Sequence, residues 1–448
     1  MNLIKESLFL ALKCLEGIES EGLNEHAALI KNLNRLKIKN LLTIKTAYLL
    51  MIETLRRLNF IDFIIDSMLP NSELKKPPLI KNFIRVYIFL TKFKCIEFKE
   101  IIELVKLGRQ IIGWEELKPY ELFLGKILEI SIDQIIKNSN LNEVDILAFK
   151  TFHPKWFVNY LYKLLGRNIS IKLLRKNLNP LPIYIRVNTL VVKEKDLLKE
   201  LHEEGIIVEK VKGVDYVYKL ISTKIPLIKS KSYSLGKFHI QDLASCIAVL
   251  ATDPKPGDTI LDVCAAPGSK TSFMAQLMNN DGKIYSIDYS TKRFNVWKKQ
   301  IKRLNVKIAI PIIADAKKAL PINLKADIVA LDPPCSNTGV FAKTPLTKWK
   351  ITLTKINEFA KIQWNMLESC ADYVKKNGKL VYSTCSIMLE ENELLIERFL
   401  KLHPEFELTI IDFPLGSQGF RGLNECLRLF PHLHECNGFF IAKMIKKF

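Results

Sequence analysis

The 448-residue sequence predicts an α/β protein: a Rossmann-like, doubly wound sheet in the carboxyl-terminal half, preceded by an all-helical region and a small α+β module. Three observations carry this. From Gly236 onward, short runs of branched apolar residues alternate with helical patterns, giving expected strands at 259–263, 283–287, 308–313, 328–331 and 379–383, with two late strands at 406–411 and 438–444. From Asn2 to about Lys150, apolar residues recur at three and four, as in Leu8, Leu12 and Leu15, with no alternation of period two. Between them, 183–187 reads as a strand, 193–204 as a helix and 206–211 as a strand. The expected domains are residues 1–145, 146–236 and 237–448.

Composition narrows the function classes. Hydrophobic residues make up 48% of the chain, which shows no low-complexity tract or internal repeat. Acids at Glu6, Glu16, Glu19 and Glu21 and the lack of a cleavage site argue against a signal peptide, and the nearby apolar stretch AYLLMI is too short to span a bilayer. Nine scattered cysteines suit reduced thiols. A cytoplasmic protein with no membrane partner is the expectation. The formal charge of +20 points to a polyanion, and its distribution is uneven: residues 1–145 carry +2, residues 146–236 carry +10 and the remainder +8. The basic excess therefore lies largely beside the α/β half, where a nucleic-acid strand would need it.

In chain order, breaks at Gly17, Leu69-Pro70-Asn71, Pro77-Pro78 and Gly113 divide the first region into six or seven expected helices. The stretch from Pro77 to Gly108, with Arg85 and Glu100, resembles the helical core of NusB-like domains, whose relatives bind RNA or proteins. Its own protein partner is not legible. An amphipathic helix over 158–165 follows His153-Pro154-Lys155-Trp156 and leads into the basic α+β module.

The α/β half turns on TILDVCAAPGSKT, Thr259 to Thr271. A buried strand runs into Cys264, Ala265, Ala266, Pro267 and Gly268, small enough for a ligand to approach the backbone, and Ser269-Lys270-Thr271 opens a helix. The loop matches neither G-x-x-x-x-G-K-[ST] nor G-x-G-x-x-G, so it is not a phosphate loop. Three acids then close three successive strands. Asp288 ends IYSID, about twenty residues on, and is placed to accept from ribose hydroxyls. Asp315 ends PIIAD, where a carboxylate suits an exocyclic adenine amine, and Asp332 ends IVALD. Singly each reads as a helix cap. Together with the loop they describe an adenosyl-ligand site at the crest of the sheet.

Two strands also deliver cysteines in polar turns, Cys335 in DPPCSNTGV and Cys385 in VYSTCSI, where exposure and a lowered pKa are expected. Pyrimidine C5 is a poor nucleophile, and a thiolate adding at C6 activates it. C5 then takes a methyl group, and proton loss and elimination free the product. One cysteine attacks and the other assists release.

These stretches, together with VNTL at Val187 to Leu190, QDLAS at Gln241 to Ser245, EEN at Glu390 to Asn392 and the terminal FPHLHECNGFFIA, resemble the RNA cytosine-C5 methyltransferases of the Sun, Nop and RsmB type. The resemblance runs from about Lys150 to the end. It implies a methyltransferase domain that binds S-adenosyl-L-methionine through Cys264, Ala265, Ala266, Pro267, Gly268, Ser269 and Lys270, with Asp288, Arg293, Asp315 and Asp332 at the cofactor. It makes Cys385 the nucleophile and Cys335 the releasing cysteine, and places Asp332 near the methyl group and the cytosine N3. DNA cytosine methyltransferases attack from the position of Cys335, so the second cysteine favours RNA. The NusB-like extension accompanies small-subunit rRNA enzymes, making rRNA the favoured substrate and tRNA the runner-up; a non-catalytic assembly factor is the rival reading.

Four positions depart from the family pattern: Ser269 and Asn337 replace glycines, Leu346 stands where an acid is common, and Asn437 replaces the acid before GFF. The charge of Lys270 suggests support for the thiolate form of Cys385. Cys426, His432, His434 and Cys436 fit no common zinc spacing, so no metal is expected.

Overall fold

The computed structural model describes residues 3–68 and 77–448. They form two compact units, Met1–Asn179 together with Phe341–Lys350, and Pro180–Val340 together with Ile351–Phe448. Among the described residues, no helix is long and apolar enough to cross a membrane.

The first unit is all helical. Ten α-helical segments occupy the described part of residues 3–150, more than the six or seven expected. The reason is local: polar caps, not only Gly and Pro, start helices here. Asn24 accepts from Ala27 N, Asn40 from Leu42 N and Thr43 N, and Ser131 and Asn142 each form capping boxes. Gly17 makes no break, since the helix Leu3–Glu21 runs through it and buries it. Pro78 opens Pro78–Ile88, and Gly113, at φ +116°, separates Phe98–Ile112 from Trp114–Leu117. The break expected at 69–71 lies outside the described residues. Arg85 and Glu100 have structural work: Arg85 forms a fork with Asp62 at 2.7 Å on both arms, and Glu100 accepts from Glu97 N at 2.8 Å.

The segment Phe341–Lys350 belongs to this helical unit although it follows Cys335 by only six residues. Leu346 is buried in the helical core, and its N–H donates to Glu25. An apolar side chain thus stands where the family commonly has an acid because this position packs inward. Lys348 is fully enclosed and donates to the carbonyls of Arg56 and Phe152, at 3.1 and 2.5 Å; burial pushes its pKa well below the ordinary lysine range.

The second unit contains two sheets. Strands β1 (Tyr184–Val187), β2 (Ile206–Lys210), β3 (Val217–Thr223) and β4 (Phe238–Ile240) form an antiparallel sheet in the order β2-β3-β1-β4. β1, β2 and the helix Glu194–Glu203 between them lie where the sequence pattern predicts, while β3 and β4 are strands that the pattern does not mark.

The larger sheet contains β5 (Thr259–Val263), β6 (Lys283–Asp288), β7 (Ala309–Ile313), β8 (Ala326–Leu331), β9 (Val374–Thr384), β10 (Phe406–Leu408), β11 (Ser417–Gln418), β12 (Leu427–Leu429) and β13 (Phe439–Lys446). Its order is β11-β12-β13-β9-β8-β5-β6-β7, with β10 paired to β13. The five strands β9-β8-β5-β6-β7 are parallel, the expected doubly wound core, and β13 runs antiparallel beside β9. The strand expected at 406–411 stops at Leu408.

Register decides where the chemistry lies. Val263 stands opposite Leu331 and Ile287, and Leu331 opposite Tyr382, so β5, β6, β8 and β9 finish almost level. The loop after β5, the DPPC turn after β8 and the TC turn after β9 therefore share the carboxyl edge of the sheet. Both faces of the central strands are covered: Ile260, Ile328 and Val381 belong to one apolar cluster, and Leu261, Val329 and Leu380 to another.

Candidate active site

The loop after β5 is held by its own strand neighbours. Ala265 N donates to Ile287 O, Ala266 N to Asp288 at 3.3 Å, and Gly268 N to Ala265 O. Cys264 sits at φ +66° and Gly268 at φ +103°, where an added Cβ would meet Trp297 at 3.1 Å. The helix Ser269–Leu277 starts without a side-chain cap, leaving its first-turn N–H groups suited to an anionic ligand group.

Asp288 lies where expected, but its carboxylate is already engaged: Ser290 N donates to one oxygen, Ala266 N and the Arg293 guanidinium to the other, and its side chain is 1% exposed. Arg293 also donates to Ala266 O, so loop, acid and guanidinium form one closed cluster. Asp315 sits just beyond β7, partly exposed, accepting from Lys317 N at 3.1 Å. The serine at 269 is accommodated by a polar relay. Arg303 can only donate, so its 3.0 Å contact makes His239 Nδ1 the acceptor, and Nε2–H donates to Ser269 Oγ at 2.9 Å. Burial, reinforced by Arg186 and Arg303, lowers the His239 pKa to about 3 and keeps the ring neutral.

Asp332 emerges at the end of β8. Lys270 Nζ donates to it at 2.5 Å, and Ser383 Oγ approaches its other oxygen at 3.4 Å. Burial opposes the Lys270 ammonium, but Asp332, with Asp262 and Cys385 adding to it, outweighs burial and raises its pKa above the ordinary lysine value. Asp332 is therefore the main partner of the Lys270 charge, with Cys385 a smaller one.

The two cysteines meet. Cys335 Sγ and Cys385 Sγ are 3.1 Å apart, brought from adjacent strand ends. Their environments differ. Cys385 is half-buried, whereas Cys335 is 6% exposed. The expected exposure and lowered pKa fail for Cys335: its hydrogen bond with Cys385, followed by burial, raises its pKa well above the ordinary thiol value. Cys264 is raised too, by burial.

Several site residues carried no role in the sequence reading. Glu391, of the EEN stretch, is fully buried beneath both cysteine turns. One oxygen accepts from Ser336 N and Gln363 Nε2 at 2.8 Å each, the other from Ser336 Oγ and Ser386 Oγ at 2.5 Å each. Because Ser336 follows Cys335 and Ser386 follows Cys385, one carboxylate ties the two turns together. Asn392 strengthens the tie, accepting from Thr384 Oγ1 and donating to Ser386 O. Nothing in the sequence separates Glu391 from its charged neighbour Glu390. Arg186 does carry a signal, a lone charge within the apolar run IYIRV: fully buried, it donates to Ser269 O and Ser272 Oγ and stacks on Phe273. Among the described residues, no group of three or more His, Cys, Asp or Glu is placed to hold a metal ion.

Comparison with known proteins agrees with this geometry. Residues 249–445 match the model of the family described as 16S rRNA methyltransferase RsmB/F, and residues 153–223 match its RsmF/B-like ferredoxin-like domain. A probable ribosomal RNA small subunit methyltransferase B of Bacillus subtilis is 34% identical over 67% of this chain and 68% of its own length. A tRNA (cytosine(72)-C(5))-methyltransferase of Pyrococcus horikoshii is 37% identical over 53% of this chain and 60% of its own. The crystal structure of PH0851 superposes over 99% of both chains with a TM-score of 0.84 and 30% identity. The curated relatives are covered over 36% to 68% of their lengths. With its loop, three strand-end acids and paired cysteines on one sheet edge, the chain belongs to the RsmB/F family of RNA cytosine-C5 methyltransferases.

Proposed function

We propose that the protein transfers a methyl group from S-adenosyl-L-methionine to C5 of a cytosine in RNA, with ribosomal RNA favoured, through a covalent bond between Cys385 and C6. The observation that carries this is the pair of thiols 3.1 Å apart beside the Lys270–Asp332 pair, since C5 methylation needs one sulfur to add and a second group to help it leave.

The loop residues Cys264 to Lys270 fit the cofactor: the uncapped helix start suits its carboxylate, and Asp288, Arg293 and Asp315 line the edge where its adenosine would lie. Bound there, S-adenosylmethionine supplies an electrophilic methyl group. Cys385, the more accessible sulfur, forms the bond to C6 and turns C5 into a nucleophile. Asp332, held by Lys270, hydrogen-bonds the ring at N3 through a proton taken up from solvent and shared between its carboxyl oxygen and N3, and that proton draws electron density away from C6. After methyl transfer the C5 proton is lost to solvent, and the C6–sulfur bond breaks with its electron pair returning to Cys385. Cys335, which keeps its proton, donates S–H to the departing sulfur. Residues 146–236, with their charge of +10, grip the RNA, and residues 1–145 supply most of the helical unit. The cytoplasm, with its RNA and reducing thiol chemistry, is the proposed compartment.

The test is a denaturing-gel search for protein–RNA adducts with cellular RNA and labelled S-adenosylmethionine, using the wild type, Cys335→Ala, Cys385→Ala and the double variant. An adduct that accumulates in Cys335→Ala and disappears in the double variant supports both roles, and sequencing the trapped RNA names the substrate. The 37% identity to a tRNA enzyme favours tRNA as the second reading, which the same sequencing decides. Absence of any methylation would leave a non-catalytic assembly factor.

A further inference from the structure

The Cys385 sulfur has a second close neighbour besides Cys335. Asn337 Oδ1 lies 2.9 Å from Cys385 Sγ and 3.9 Å from Cys335 Sγ. Asn337 is solvent-exposed, yet its side chain turns back over the two sulfurs instead of pointing into water. Its backbone is at φ +57°, where a side chain costs energy and asparagine costs less than most.

The turn that carries it cannot drift from Cys385. Gly339 N donates to Cys385 O at 2.9 Å, Val340 N to Asn337 O at 3.1 Å and Gly438 N to Gly339 O at 2.8 Å. A Cβ at Gly339 would meet Gly438 O at 2.1 Å and Cys385 O at 2.8 Å, so the two backbones are in direct contact. The amide of Asn337 is thereby delivered to the sulfur by fixed chain.

We propose that the Asn337 amide positions the Cys385 sulfur in both of its protonation states, accepting S–H from the thiol and, after a half-turn about χ2, donating N–H to the thiolate. This inference rests on Cys385 being the nucleophile. An amide presents an acceptor and a donor from the same plane, so the exchange needs no backbone movement. The proton released passes to bulk water, which the exposed face of the turn admits. The charged and titratable groups around the sulfur are Cys335, which stays a thiol and donates to it, Lys270, Asp332, which Lys270 neutralises, and Glu391, enclosed beneath the turns and held by Ser336, Ser386 and Gln363. None replaces a neutral donor aimed at the sulfur from the solvent side. A hydrogen bond to the thiolate outweighs one to the thiol, so the net effect is to favour the reactive form.

The test measures iodoacetamide alkylation of Cys385 in the full chain, by peptide mass spectrometry, for the wild type, Asn337→Gly and Asn337→Asp. Glycine suits the backbone and removes both hydrogen-bonding functions; aspartate keeps the acceptor and sets a negative charge against the thiolate. At neutral pH we expect Asn337→Gly to react about fivefold more slowly than the wild type, and Asn337→Asp more slowly still. Both deficits should shrink as pH is raised, because added base then supplies the thiolate without help from the amide. If Asn337→Gly reacts as fast as the wild type and Asn337→Asp matches it, Asn337 serves the turn alone and the proposal falls. If the order holds but trapped RNA maps to Cys335, the contact stands and the assignment of the nucleophile is what fails.

Discussion

The turns that follow β8 and β9 look alike in sequence, each placing a cysteine before a serine at the end of an apolar strand, yet they surround their sulfurs differently. Cys335 is enclosed, with its proton held by the neighbouring sulfur and by burial; Cys385 stays half open and reaches an exposed amide. Strand ends bring two thiols together, but burial leaves one of them more open than the other, and the proposed division into an attacking and an assisting sulfur rests on that difference.

The strongest way to break this comparison is to delete each sulfur. Cys385→Ala should reduce RNA methylation to background, because the sulfur beside it, Cys335, is enclosed, whereas Cys335→Ala should retain the first bond-forming step and accumulate adduct. Single-turnover methylation and adduct yield measure the two together. Equal loss of adduct in both variants would show that the difference in burial does not separate the roles.

Lys270→Met tests what the nearby positive charge serves. Its 2.5 Å contact with Asp332 implies that losing the ammonium chiefly frees that carboxylate, an unpaired charge beside the reacting base. Methylation should fall by tenfold or more, on the order of a lost charge-assisted hydrogen bond. Asp332→Asn in the same background should recover part of the loss. A variant whose rate and pH profile match the wild type would remove Lys270 from the site altogether.

Glu391 joins the turns and so keeps the comparison sharp. Glu391→Ala strips four donors of their acceptor and should destabilise the protein by about 3 kcal/mol, seen in urea unfolding. Glu391→Gln keeps an acceptor and should cost less. Stability unchanged in Glu391→Ala would mean that the turns hold their spacing without it.

Why did the sequence reveal the cysteines and not the carboxylate beneath them? The parallel strands were legible because buried strands in a doubly wound sheet are uninterrupted apolar runs, and their level ends placed Cys264, Asp288, Asp332, Cys335 and Cys385 on one edge. β3 and β4 were not, since VYKLIST and FHI are short and mixed in polarity, paired by tertiary context rather than by pattern. Nor could spacing tell that Glu391 points down between two turns, or that Cys335 lies under its neighbour. Both facts depend on how the connections after the strands fold back. The extra helices of the first unit were hidden for a simpler reason: their starts are marked by Asn and Ser, which sequence patterns also assign to turns.

A buried acid elsewhere on the same sheet gives the finest test of what satisfied donors do. Glu391 has four donors; Asp262, on β5 and equally enclosed, accepts from Thr271 Oγ1 at 2.5 Å. Burial raises the Asp262 pKa from 3.8 to about 6, with the Thr271 hydrogen bond and Lys270 only partly opposing it. A carboxyl group that binds its proton more tightly when folded contributes stability below pH 3.8, and that contribution is lost as pH rises through 6, amounting to about 3 kcal/mol at most. Asp262→Asn keeps a neutral acceptor for Thr271 and does not titrate. Its stability relative to the wild type should therefore rise between pH 4 and pH 7 by up to that amount. Urea midpoints at the two pH values decide: parallel shifts in both proteins would mean that Thr271 alone satisfies the Asp262 charge, whereas burial still raises the Glu391 carboxyl against four donors.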